Sequence, residues 1–232
     1  MKTTREEEKA IILSLSKKVD GIILCPCQKE DEDIRFLKKK KINFVLLGRY
    51  FPHIETDYVV SNDIKGAYLA TRHLLDHQRE RILLLNAHLY ISSAKERYSG
   101  YLKAFQEAGR KIDKRLIYEI GNTSGNSVEA VKHIMAKKIK FDSVFAFSDL
   151  MAWEVIYYLQ TLGLKIPQDV EVVGYDNIQS RFFFPYSLTT VNYSKRQAAH
   201  KAVDILLHKI NNVDSASYHQ EIVDTNLFIR KN

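Results

Sequence analysis

Long apolar runs, catalytic signatures and widely spaced cysteines are all missing from these 232 residues, and each absence removes a class of protein. No stretch approaches the roughly 18 apolar residues of a membrane span, and Met1–Glu8 lacks the apolar core of a secretory leader. There is no Gly-x-Gly-x-x-Gly, no Gly-x-x-x-x-Gly-Lys-Ser/Thr, no Gly-x-Ser-x-Gly elbow and no His-Glu-x-x-His. The usual dinucleotide, P-loop, hydrolase and zinc-protease readings are therefore set aside, and the chain reads as a binding module without a cofactor and not as an enzyme. The two cysteines, Cys25 and Cys27, flank a single proline, too close for an ordinary disulfide and without the second Cys or His pair of a zinc site. They read as free thiols, and with no leader in view the expectation is a cytoplasmic protein. No fixed-period repeat is present, which excludes solenoids.

What the chain does have is 45% hydrophobic content, enough to bury a core as one large α/β domain or two small lobes. Lys and Arg number 35 against 28 Asp and Glu, a net charge of +7. A DNA-reading surface would gather that excess on one face, whereas here it is dispersed. The densest run, Lys38 to Lys41, reads as a solvated loop between a helix and a strand.

Helical and strand patterns alternate from end to end, and the strand candidates are short, nearly continuous apolar runs, as parallel strands covered on both faces require. Residues 5–18 read as a helix leading into the strand Gly21–Cys25, which Pro26 stops. A helix at 30–40, the strand Asn43–Leu47, a loop opened by Gly48-Arg49 and the strand Tyr58–Val60 follow. A helix capped by Asn62 or Asp63 leads to the strand Arg81–Leu85. The second half repeats the rhythm: helices at 94–108, 126–138 and 149–162, strands at 116–120, 143–147 and 170–174. Gly109 and Gly163 stand where a left-handed C′ residue closes a helix. After Pro185, Leu188–Val191 is extended, residues 195–210 are helical, and alternating Ile222, Val223, Leu227, Phe228 and Ile229 suggest an edge strand. The fold class is α/β with doubly wound parallel sheets.

Three segments, in order, resemble the LacI/GalR family of bacterial transcription regulators. Asn62-Asp63-Ile64-Lys65-Gly66-Ala67 through His73-Leu74 is similar to the family's Asp-Asn-x-x-Gly-Ala helix entry, with the leading pair exchanged. Arg97-Tyr98-Ser99-Gly100-Tyr101 through Ala108-Gly109 resembles its Arg-x-x-Gly-Phe/Tyr helix. Phe141–Ala152, Gly163, Pro167, Val172–Asn177, Pro185 and Leu188–Val191 complete the pattern. The resemblance implies a two-lobed fold like that of the periplasmic sugar-binding proteins. The N-terminal lobe would take residues 1–62 and 188–213, the C-terminal lobe 63–187 and 214–232. It also implies that this chain starts after the helix-turn-helix headpiece and after the first β-α-β unit of the N-terminal lobe. That lobe is therefore expected to be weakened and prone to associate.

The function so implied is sensing of a small-molecule effector, a carbohydrate or sugar derivative, in an interlobe cleft. The protein would be a homodimer that reaches operator DNA only through a headpiece absent from this chain, with no membrane contact. In open parallel sheets ligands bind outside the carboxyl ends of strands, where Ser148, Asp149 and Asp176 fall. Ser93 and Arg97 share a helix face. A guanidinium fork and a carboxylate suit adjacent hydroxyls, and by resemblance Arg97 and Asp176 are the principal contacts. Ser148 stands where the family commonly has Asn, and Thr123 where many members place a stacking aromatic. Tyr193 and Tyr90 or Phe51 could supply an apolar face instead, and Arg49 could reach the cleft.

Each residue also has a plainer reading: Arg97 as an exposed helix cation, Asp149 as an N-cap, Asp176 as a turn former before Asn177. His73 and His77 share a helix face, but the sequence offers no further ligand beside them, and they read as a core residue and a helix-end residue. Two other functions fit the fold class: a solute-binding protein of a sugar transporter, which needs a signal peptide, and a sugar-processing transferase, which needs a catalytic pair.

Overall fold

A computed structural model describes residues 18–121, 125–178, 187–211 and 217–230. The expected helix at 5–18 lies almost wholly outside them. The chain forms two units: one holds the described residues up to Ser61 together with Ser194–Val223, the other holds Asn62–Tyr193 and the residues from Asp224.

The smaller unit is a parallel four-stranded sheet, β1 (Ile22–Leu24), β2 (Phe44–Leu47), β3 (Tyr58–Ser61) and β9 (Gln220–Val223), in that order. Among the described residues its helices are α1 (Glu32–Lys39) and α6 (Lys195–Asn211). Ile34, Leu37, Phe44, Leu46, Phe51 and Ile54 form its core. The lysine run is not a free loop. Lys38 and Lys39 end α1, where positive charge meets the helix dipole, and Lys38 Nζ donates to the Glu55 carbonyl at 2.5 Å.

The larger unit is a six-stranded sheet in the order β10 (Thr225–Phe228), β8 (Thr189–Tyr193), β7 (Glu171–Tyr175), β6 (Ser143–Ala146), β4 (Ile82–Asn86), β5 (Ile117–Glu119). All its pairings are parallel except β10 on β8. Strand alternation sorts the apolar side chains to two faces. Ile82, Leu84, Phe145 and Val173 pack with Ala67, Ala70, Leu74, Tyr101 and Phe105, from α2 (Asp63–Asp76) and α3 (Ser92–Glu107). Leu83, Leu85, Val144, Ala146 and Val172 pack with Val131, Ile134, Val155, Ile156 and Leu159, from α4 (Asn126–Ala136) and α5 (Asp149–Thr161). This is the doubly wound arrangement the apolar runs require. Gly109 and Gly163 take φ of +62° and +81°, closing α3 and α5 as expected.

The expected lobe boundaries need correction after residue 187. Leu188 is buried in the larger unit's core, and Thr189–Tyr193 is the strand between β7 and β10, so the chain crosses to the smaller unit at Ser194 and not at 188. The terminal alternation is two strands instead of one. Gln220–Val223 runs parallel to β3, and Thr225–Phe228 runs antiparallel to β8. Residues 214–232 are thus divided between the units and do not all belong to the larger one.

Candidate functional site

The carboxyl ends of β4, β6 and β7 gather the polar residues of the larger unit around Arg97. This arginine is no exposed helix cation: it is 6% exposed. Its Nε donates to Asp63 Oδ1 at 2.8 Å, its Nη1 to the Phe147 carbonyl, and its Nη2 lies 3.9 Å from Asp176 Oδ1. The guanidinium carbon stands 3.4 Å from the Tyr175 ring centroid and 4.2 Å from that of Phe147, so it lies over both aromatic rings. Burial works against the charge, yet Asp63 and Asp176 hold its pKa above the ordinary guanidinium value. Tyr175, buried and beside Asp63, has its pKa raised well above normal and stays neutral.

Asp63, 1% exposed, is not the helix cap that the sequence allows it to be. Asn62 performs the capping, its Oδ1 accepting from Lys65 N at 3.1 Å, which leaves the Asp63 carboxylate for Arg97. The exchanged Asn-Asp pair thus carries two separate jobs. A charged residue at the first position of a helix, next to a competent cap, was the available signal.

Asp149 corrects its plainer reading as well. Ser148, extended at φ −142° and ψ 160°, is the N-cap of α5, and its side chain accepts from Met151 N at 3.4 Å. Asp149 lies inside the first turn, fully buried. Its Oδ1 accepts from Thr190 Oγ1 at 2.5 Å and its Oδ2 from Ile178 N at 2.8 Å, so it braces the segment that follows β7. Gly174 permits this, because an added Cβ would overlap the Asp149 carboxylate. The braced segment is strained: Asp176 and Asn177 both have positive φ, 99° and 51°. Asn177 is held in turn by Asn192 at 3.1 Å and Arg230 at 2.6 Å. Asp176 is the more open member, its side chain 29% exposed.

The other sequence candidates scatter. Ser93 is buried in the first turn of α3. Tyr193 ends β8, partly buried against the α2/α3 core. Tyr90 is 40% exposed and stacks on His88, 5.5 Å between centroids. Arg49 belongs to the smaller unit, where it donates to the Gln28 carbonyl at 2.9 Å and lies over Phe51, itself a core residue. Thr123 lies outside the described residues. Residues that sequence reasoning missed are Asp63, Phe147, Tyr175 and Asn86, whose Nδ2 donates to the Ala94 carbonyl at 2.9 Å and ties β4 to α3.

A doubly wound sheet with a buried arginine–carboxylate cluster at its carboxyl edge defines the class as an open α/β fold, in which ligands bind at that edge. A family profile described as periplasmic binding proteins and sugar binding domain of LacI family matches residues 2–231, and the chain belongs to that family. It is 30% identical over 225 residues to the HTH-type transcriptional repressor PurR of Actinobacillus pleuropneumoniae serotype 3 (strain JL03), covering 96% of this chain and 67% of that one. To the protein of the same name from Vibrio atlanticus (strain LGP32) it is 33% identical over 214 residues, 90% of this chain and 64% of that one. Among solved structures it is similar to a complex of the transcriptional regulator CelR with cellobiose. The TM-score is 0.90 at 26% identity, covering 98% of this chain and 70% of that one. The fold is shared with the transcription regulator CcpA of Lactococcus lactis, TM-score 0.87 at 24% identity, covering 97% and 82%. The chain thus spans about two thirds of the length of the curated relatives. These relatives are transcription regulators and not components of transporters.

Proposed function

We propose that this chain senses a small polar effector for a transcription regulator and performs no chemistry on it, with Arg97 and Asp176 at the centre of the ligand site. The observation that carries this reading is their pairing: a guanidinium fixed on three sides, with its remaining edge turned towards a partly open carboxylate. Fixing the fork in advance lowers the ordering cost of binding, and the partly exposed Asp176 carboxylate beside it is an acceptor suited to hydroxyls. Two effector classes follow from the relatives. The cellobiose bound in the CelR complex supports a sugar. The name PurR on the sequence relatives supports a purine-related ligand. Of the two we take the sugar, because the carboxylate's two oxygens can each accept from one of two adjacent hydroxyls. Binding shifts a regulator only through differential affinity for its two states, which a ligand-specific contact such as Asp176 would provide.

A thermal-shift panel of sugars, sugar phosphates and purines tests this. A sugar hit whose stabilisation falls at least about tenfold in effective affinity in Asp176→Asn is expected. A hit unaffected by that change would remove Asp176 from the site, and a purine hit would settle the class the other way. A homodimer in a cytoplasmic setting belongs to the same reading, and the exposed Leu150 and Tyr157, on one face of α5, offer apolar surface for it. Sedimentation as a monomer at tens of micromolar would exclude the dimer.

A further inference from the structure

At the opposite end of β7 from the arginine cluster, three metal-ligating side chains meet. His73 lies in the last turn of α2 and His77 at its C-cap, four residues apart and therefore on one face, with ring centroids 4.1 Å apart. Both rings converge on a single oxygen of Glu171, the first residue of β7: His73 Nε2 stands 3.1 Å and His77 Nδ1 2.8 Å from Oε1. The three candidate donor atoms lie within 4.8 Å of one another. Glu171 is 8% exposed, and its other oxygen takes Arg79 Nε at 3.3 Å. Beside them opens a cavity of about 760 Å³ that His73, His77, Glu171 and Arg79 help to line. None of these residues takes part in the Arg97 cluster.

We propose that His73, His77 and Glu171 bind a borderline divalent cation, with zinc the best fit and nickel or copper as alternatives. Ligand atoms about 2.0–2.2 Å from a tetrahedral zinc lie roughly 3.3–3.6 Å from each other. The N···O separations of 2.8 and 3.1 Å open by a few tenths of an ångström to admit the ion, while the two ring nitrogens, within 4.8 Å of each other, adjust to the same spacing. Two imidazoles and one carboxylate match zinc and its neighbours, whereas calcium and magnesium take oxygen ligands. Arg79, on the far oxygen of Glu171, aims Oε1 at the rings, the outer contact that such ligands need. With three protein ligands the fourth position faces the cavity, open to water or to a small anionic ligand. Because α2 begins at Asp63 and β7 ends at Tyr175, the cation would clamp the same two elements that hold Arg97.

The test is a Co²⁺ titration of the tag-free chain carrying Cys25→Ser and Cys27→Ser, followed by visible absorption, and then a Zn²⁺ titration by calorimetry. One ion per chain is expected, with the intense spectrum of four-coordinate cobalt. In His77→Ala, a half-exposed position, affinity falls at least about tenfold, and Glu171→Gln has the same effect in a second, independent variant. His200→Ala, on an exposed face of α6, leaves binding unchanged. Circular dichroism confirms that each variant is folded. The proposal is overturned by the absence of saturable binding, by binding present only when the cysteines are restored, or by folded His77→Ala and Glu171→Gln chains that bind within twofold of their parent.

Discussion

Arg97 and Asp176 make unequal demands on the fold, and substitutions should separate them. Removing the guanidinium leaves Asp63 buried without its partner, so Arg97→Ala is expected to lose about 3–5 kcal/mol in urea unfolding. Asp176→Asn, at a partly exposed side chain, should cost under about 1 kcal/mol. Equal losses in the two variants would show that Arg97 is not the structural anchor described. For the same reason Arg97→Ala is a poor probe of ligand binding and Asp176→Asn a good one. At this scale the sequence was half legible. The ordered motifs pointed to Arg97 and Asp176 through resemblance, but nothing local announced that Asp63, 34 residues earlier, is the arginine's main partner. Glu171 is 94 residues from His77, and such pairings are set by strand order, which composition and spacing do not carry.

Helix and strand identities were read well because the periodicities that define them are local. Helix ends marked by Gly109 and Gly163, and apolar strands such as Ile82–Asn86, need no knowledge of their neighbours. Where the packing partner decides, reading failed: Leu188–Tyr193 and the terminal alternation have the right pattern for either sheet. Close approach is a further element-scale property hidden from pattern. Helices α2 and α3 meet at Gly100, where an added Cβ would overlap the Ile64 carbonyl oxygen and press on Ala67 and Tyr68 at 2.8 Å. Backbone cannot yield as a side-chain tip can. Gly100→Ala should therefore destabilise the larger unit by about 1–3 kcal/mol despite alanine's better helix propensity, as read by chemical denaturation. A neutral or stabilising result would mean that the helices separate without cost.

For the whole molecule, the two sheets differ in how thoroughly they are covered. Ile82–Asn86 and Ser143–Ala146 are buried throughout, whereas Ile22–Leu24 is only half-buried and pairs, among the described residues, with β2 alone. Amide hydrogen exchange should be slowest in β4 and β6 and faster by orders of magnitude in β1. Uniform protection across both sheets would contradict this. Assembly order follows from the last strands of the chain. Tyr58 on β3 waits for Gln220, 162 residues later, and one residue beyond β9 the chain begins β10, which borders β8. Asp224 is thus the single link between the outer strands of both sheets. Proteolytic loss of the short tail from residue 220 onward would strip one strand from each sheet in a single cut, leaving two sticky borders where a whole chain has none at those positions.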